Sequence, residues 1–98
     1  MYEIHKTQIF DKWLLALRDK RAQAIIAARI DRLRNGNMGD AKHVGGGVHE
    51  LRIHHGAGYR IYFVSRDGQI VILLCGGNKS TQTSDIETAK RMTKELSI

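Results

Sequence analysis

The chain has 98 residues, 42% apolar and 27% charged, so it can bury one hydrophobic core, and its composition excludes an extended disordered chain. The 16 Lys and Arg residues outnumber the 10 Asp and Glu residues and give a net charge of +6, which favours a polyanionic partner (nucleic acid, anionic lipid or an acidic protein) over a basic surface without one. The single cysteine, Cys75, excludes an intramolecular disulfide and a cysteine-rich zinc site, and indicates a reducing compartment.

The chain carries no recognisable signal for export or membrane insertion. Met1–Thr7 lacks the apolar region of a signal peptide, and the longest apolar run, Ile70–Cys75, is too short to span a bilayer. We therefore expect a cytoplasmic protein in which residues 1–98 form a single domain.

The first third of the chain predicts a strand and a helical hairpin. The strand covers Tyr2–Lys6, and Thr7 is suited to cap the helix that follows. Apolar residues then recur at three- and four-residue spacing as far as Arg34, with a kink or short turn expected near Asp19. The Asn-Gly-Asn sequence at 35–37 is typical of a helix end.

The rest of the chain predicts a loop, three strands and a helix. Met38–Gly47 contains four glycines and is expected to be a loop. Alternating or continuous apolar residues then indicate three strands joined by tight turns and ended by Gly76-Gly77, namely Val48–His55, Tyr59–Ser65 and Gln69–Cys75. Ser84–Glu87 matches a capping box, and the last helix is expected to bury a stripe of Ile86, Ala89, Thr93 and Leu96. The order β-α-α-β-β-β-α predicts an α+β fold.

One face of the predicted sheet gathers cationic and hydrogen-bonding side chains. If Leu51 and Ile61 face the helices, the opposite face carries Arg52, His54, Arg60 and Tyr62, and Lys79 follows the last strand. Arginine forks match phosphate geometry, lysine supplies a point charge, and tyrosine offers a stacking plane for a base. An ordinary solvated sheet face is the open alternative.

A second basic zone lies on the helical hairpin and suggests docking on RNA or on an acidic partner, against the alternative of a solvated helix face. Its members are Arg18, Lys20, Arg21, Arg29, Arg32 and Arg34. The sequence shows no cluster of His, Asp, Glu or Cys with metal-ligand spacing, so neither a metal nor a cofactor is expected. Cys75 is expected to be a buried structural thiol.

Several motifs, in their order and spacing, resemble one family over nearly the whole chain. They are Phe10–Leu14, Gly36–Asp40, Gly47–Ile53, Gly56–Phe63, Leu73–Gln82, and Asp85-Ile86 with Ala89. The sequence in this respect resembles the RelE/HigB-like toxins of type II toxin–antitoxin modules, in the group labelled addiction-module killer proteins. The resemblance implies a RelE/ParE-like fold with an N-terminal strand and helical hairpin packed on an antiparallel sheet.

The same resemblance implies a ribosome-dependent mRNA interferase, an endoribonuclease that inhibits translation without a metal, and a cognate antitoxin, often with a DNA-binding helix-turn-helix domain. A ribose 2′-OH attacks the adjacent phosphate in such enzymes. Arg60 matches the phosphate-stabilising arginine of the family, and Arg52 and Lys79 fall where relatives carry basic residues. Relatives can carry a Tyr where Asp85-Ile86 stands here, which leaves the base unassigned among four candidates, His54, Tyr62, Gln82 and Asp85.

Two other functions stay open at this point. ParE toxins share the fold and poison gyrase instead of cutting RNA, and a degenerate toxin could act as a binding module or co-repressor. The cationic face with Arg52, Arg60 and Lys79 favours RNA, because a gyrase-binding toxin needs no phosphate-cleaving residues.

Overall fold

Residues 1–96, which the computed structural model describes, form five strands, three α-helices and one 3₁₀ helix. In chain order these elements are β1 (Glu3–Lys6), α1 (Gln8–Ala16), α2 (Lys20–Arg34), β2 (Ala41–Gly45), β3 (Val48–Ile53), β4 (Tyr59–Arg66), β5 (Ile70–Gly77), the 3₁₀ helix (Lys79–Thr81) and α3 (Gln82–Glu95). The strands make one sheet in the order β1-β5-β4-β3-β2, with β1 parallel to β5 and the other neighbours antiparallel. The predicted α+β class is confirmed.

The predicted helical hairpin is confirmed, together with the residues that delimit it. The Thr7 hydroxyl accepts a hydrogen bond from the backbone N–H of Phe10 (3.0 Å) at the start of α1. Asp19 occupies the turn between the helices and caps α2 by accepting from the N–H of Ala22 (3.0 Å). Such caps satisfy amide groups that have no partner within the helix. Gly36, just past α2, has a φ of 89°, which glycine adopts without strain.

The sheet has helices on both faces, and each face buries its own apolar cluster. The helical-hairpin side holds Phe10, Ala22, Ile26, Ile30, Leu33, Leu51, Ile53, Tyr59, Ile61, Phe63, Val71 and Leu73. The α3 side holds Val48, Tyr62, Val64, Leu74, Cys75, Ala89 and Met92. Strand β5 contributes to both clusters, so it is covered on both faces, which accounts for its continuous apolar run.

The predicted loop over Met38–Gly47 is wrong, because Ala41–Gly45 forms the edge strand β2 and pairs with β3. Lys42 and His43 are exposed at this edge, so the segment lacks the apolar alternation that identifies a strand in a sequence. Its backbone is ordered by the ladder to β3, a partner that the local sequence does not contain.

The predicted start of the last helix is also wrong. The capping box formed by Asn78 and Thr81 lies at the start of the 3₁₀ helix that precedes α3, and Ser84 lies inside α3, where its hydroxyl donates to the carbonyl of Thr81 (3.1 Å). Two smaller differences follow at the ends of elements. Gly76 and Gly77 belong to β5, and Leu96 is 51% exposed while Met92 takes its place in the buried stripe. Within residues 1–96, none of the helices has the length and apolar character needed to cross a membrane.

Gly76 generates the first prediction, because a Cβ at this position would overlap the ring of Trp13. That ring is held between Phe10 (centroids 5.8 Å apart) and Tyr59 (6.4 Å) and cannot move aside freely. We expect Gly76→Ala to lower the free energy of unfolding by about 1–3 kcal/mol, measured by urea denaturation. The cost should shrink in a Trp13→Leu background, and an equal cost in both backgrounds would contradict the packing argument.

Candidate functional site

An open cleft of about 410 Å³ lies where the β3–β4 turn meets the 3₁₀ helix. Its lining consists of His54, His55, Gly56, Ala57, Gly58, Arg60 and Lys79. The turn is tied to the 3₁₀ helix by a hydrogen bond from the N–H of Lys79 to the carbonyl of Ala57 (3.3 Å). A Cβ on Gly58 would lie 3.2 Å from Nη1 of Arg60 and 3.3 Å from Cβ of Lys79, so the bare glycine lets both cations approach the turn.

Arg60 is held firmly in this cleft. Its side chain is only 11% exposed, and its Nη1 donates to the carbonyl of Gly58 (2.6 Å). Arg52 lies directly opposite Arg60 in the β3–β4 register and donates from Nη2 to Oδ1 of Asp40 (3.1 Å). The structure therefore brings Arg60 and Lys79 together in the cleft, whereas Arg52 pairs in register with Arg60 but is bound by Asp40 and does not line the cleft.

A buried carboxylate lies beneath Arg60. Glu50 is fully buried, and its Oε2 accepts from the Tyr62 hydroxyl (3.1 Å) and from Nε2 of Gln82 (2.8 Å). The same oxygen lies 3.8 Å from Nε of Arg60. Burial, followed by the charge of Glu50, raises the pKa of Tyr62 above its usual value, so the phenol keeps its proton and donates. Glu50 thus links β3, β4 and α3 to the arginine of the cleft.

Glu50 was not among the residues that the sequence singled out. The alternation placed it on the polar face, but its role depends on α3, which covers that half of the face. A detectable signal was present, because the short β3–β4 turn sets Glu50 opposite Tyr62, and a carboxylate that becomes buried requires hydrogen-bonding partners. The expectation that Tyr62 offers a stacking plane is wrong, because its ring is fully buried under α3.

Two adjacent histidines form the wall of the cleft nearest the helical hairpin, and each is oriented by an aspartate. His54, 74% exposed, donates from Nε2 to Oδ2 of Asp40, and His55 donates from Nε2 to Oδ2 of Asp19 (3.0 Å). The bond from His54 is the main cause that lowers the pKa of Asp40. The predicted strand Val48–His55 would place His54 and His55 on opposite faces, but β3 ends at Ile53, and alternation does not continue beyond a strand.

The remaining catalytic candidates have structural partners. Asp85 accepts a hydrogen bond from Oγ1 of Thr81 (2.5 Å) and packs under Gly77, where a Cβ would overlap its carboxylate. The amide of Gln82 is engaged by Glu50. Cys75 is buried as predicted, and burial and then Asp85 raise the pKa of its thiol to about 12.

The fold divides the basic zone of the helical hairpin into residues with hydrogen-bonding partners and residues that are exposed. Arg29 donates to the carbonyls of Arg52 (3.0 Å) and Met38 (3.4 Å) and so connects α2 to the sheet. Arg34 pairs with Asp31 (2.6 Å) on the same helix. The other members are exposed, namely Arg18, Lys20, Arg21 and Arg32. Over residues 1–96, no three His, Cys, Asp or Glu side chains come close enough together to hold a metal ion.

Comparisons with known proteins found one matching family and one similar protein over nearly the whole chain. Residues 12–94 match the family described as Phage derived protein Gp49-like. An uncharacterised protein of Haemophilus influenzae is 52% identical over 96 residues, which cover 98% of this chain and 97% of that protein.

Glu50 generates the second prediction. Glu50→Ala removes the acceptor of Tyr62 and Gln82 and the counter-charge of Arg60, and it leaves buried polar groups without partners. We expect a loss of about 3–5 kcal/mol in the free energy of unfolding, measured by urea denaturation. The matched control is Glu95→Ala, which removes a carboxylate 66% exposed on α3 and should change stability by less than about 0.5 kcal/mol. Equal effects of the two variants would contradict the assignment.

Asp19 generates the third prediction, on pH. Its pKa is lowered below the ordinary 3.8 first by the N–H of Ala22 and also by His55. A carboxyl group whose pKa is lower in the folded state stabilises the fold at pH values above its unfolded-state pKa. This stabilisation is lost as the pH falls through the folded-state pKa. Asp19→Asn keeps an N-cap but loses the charge. The gap in melting temperature between wild type and variant should therefore narrow from pH 6 to pH 3, and a constant gap would refute the charge effect.

Proposed function

The chain belongs to the family of Gp49-like phage-derived proteins, which is associated with the toxins of toxin–antitoxin modules, and we propose that it is a ribosome-dependent endoribonuclease that cuts mRNA. The observation that carries this proposal is the cationic cleft, in which Arg60 and Lys79 flank the glycine turn 56–58. A cleft with these charges and a bare backbone edge suits a phosphodiester.

The proposed reaction is an attack of a ribose 2′-oxygen on the adjacent phosphorus. The new P–O2′ bond forms while the P–O5′ bond breaks, which yields a 2′,3′-cyclic phosphate and a 5′-hydroxyl. Negative charge grows on the phosphate oxygens in the transition state, and cations already fixed around the phosphate stabilise it without reorganising. Arg60 is proposed for this role because the carbonyl of Gly58 and the carboxylate of Glu50 hold its guanidinium, and Lys79 adds a second charge.

Proton transfer is proposed for the two histidines. An imidazole that donates from Nε2 to a carboxylate leaves Nδ1 as an acceptor, which suits His54, paired with Asp40, to take the proton of the 2′-OH. The protonated form of His55, paired with Asp19, is the proposed donor to the leaving 5′-oxygen. Tyr62 does not suit the role of base, because its hydroxyl is buried and its pKa is raised.

We also propose a cellular location and partners for this protein. Residues 1–98 would act as one domain in the cytoplasm, with ribosome and mRNA as targets and a cognate antitoxin, a helix-turn-helix protein, as the inhibitor. Surface cations of the helical hairpin would contact ribosomal RNA through its phosphates, and their contribution would fall as salt rises. Those cations are Arg18, Lys20, Arg21 and Arg32.

Lysine substitutions test the proposal as the fourth prediction. We expect wild-type induction to stop translation and to leave mRNA breaks that follow the reading frame. Lys79→Ala should slow cleavage about 100-fold, because it removes a cation from the cleft while its exposure spares the fold. Lys94→Ala removes the same charge from the exposed face of α3 and should cleave like wild type.

Primer extension on induced transcripts gives the measurement, and a charge-preserving variant adds a second test. Arg60→Lys keeps the counter-charge of Glu50 but loses the planar fork, so we expect a folded protein with much weaker cleavage. Intact transcripts together with induction of the DNA-damage response would contradict the proposal and favour a gyrase target.

A further inference from the structure

A second cleft, also of about 410 Å³, lies on the α2 side of the two histidines. It shares His54 and His55 with the first cleft, and its other lining residues are Ile25, Ala28, Arg29, Arg32 and Ile53. The two clefts are therefore neighbours separated by one pair of imidazoles. The function proposed above uses the first cleft and leaves the second without a role.

The walls of the second cleft combine three chemical features. Ile25, Ala28 and Ile53 give it an apolar surface on the α2 and β3 sides. Each imidazole is hydrogen-bonded to an aspartate, which restrains the orientation of the two aromatic rings.

Two guanidiniums complete the rim. Arg29 is held in place by the carbonyls of Arg52 and Met38, and Arg32 is exposed and lies three residues further along α2. The guanidinium of Arg29 is therefore restrained by the sheet, while that of Arg32 is exposed and can meet a ligand at the mouth of the cleft.

We propose that this second cleft binds an unstacked nucleobase of the RNA whose neighbouring phosphate occupies the first cleft. The inference rests on the proposed function and extends it. A base has a flat apolar face that suits the aliphatic wall and the imidazoles, and it is attached to a phosphate that suits Arg32. The adjacency of the two clefts also supports a nucleobase as the occupant, because consecutive parts of one RNA strand would lie on the two sides of His54 and His55.

An acidic peptide would account for the arginines but not for the flat imidazole wall beside a phosphate-binding cleft. Binding of a nucleobase in the second cleft would also position the RNA for the reaction proposed at the two histidines. A base held in the second cleft would fix the ribose between the clefts and so bring its 2′-OH towards His54.

Paired alanines on α2 allow a matched test, the fifth prediction. Ala28 lines the second cleft, whereas its neighbour Ala27 is exposed on the same helix and does not. Ala28→Trp would fill the cleft, and Ala27→Trp adds the same side chain outside it. The probe is a 2′-O-methyl RNA tetranucleotide, which lacks the attacking hydroxyl, together with versions that carry one abasic position each, and binding is followed by fluorescence anisotropy.

We expect Ala28→Trp to weaken binding of the intact tetranucleotide about tenfold or more, while Ala27→Trp binds like wild type. One abasic position should weaken binding to the wild type by a similar factor, and Ala28→Trp should not weaken it further, because both changes remove the same contact. Melting temperatures of both variants show that the fold is kept.

Three results would overturn the inference: equal binding by the two tryptophan variants, no binding of the tetranucleotide by wild type, or loss of antitoxin binding alone in Ala28→Trp. Failure of the proposed function has a different signature. Wild type would then cut no mRNA on ribosomes, while base-dependent binding would still be lost selectively in Ala28→Trp.

Discussion

The structure depends on how one buried carboxylate is compensated. Glu50 is fully enclosed between the sheet and α3, and a charge taken out of water is costly unless it is paired and hydrogen-bonded. The partners come from separate elements, with Arg60 and Tyr62 on β4 and Gln82 on α3. A polar cluster of this kind couples the packing of the C-terminal helix to the orientation of the arginine that faces the cleft.

The same compensation explains how like charges are tolerated across the sheet. Arg52 and Arg60 are direct neighbours in the β3–β4 register, an arrangement that is unfavourable by itself. Asp40 binds the first and Glu50 lies against the second, so each guanidinium has its own counter-charge. The two arginines are thus neutralised by their carboxylates, and Lys79 is the exposed point charge of the cleft.

The helical hairpin contributes to the site through the segments that flank α2. Asp19 lies in the turn between α1 and α2 and Asp40 lies in the segment after α2, and these two residues orient His55 and His54. Arg29 adds a connection from the middle of α2 to the backbone of Arg52. The histidine pair and both clefts therefore depend on the docking of α2 on the sheet, and the basic zone of the helical hairpin has a partly structural role.

The sequence by itself determined the α+β class, the helical hairpin with its Thr7 and Asp19 boundaries, and the strands β3 to β5, because caps, turns and apolar periodicity act between residues close in the chain. It also brought Arg52 and Arg60 together, since strand register follows from a short turn. Tertiary structure decided the edge strand β2, the burial of Tyr62 and Glu50 under α3, and the pairing of His55 with Asp19. Each of these depends on desolvation or hydrogen bonding by a segment distant in the chain, as with Asp19 and His55, which are 36 positions apart, and no local pattern records it.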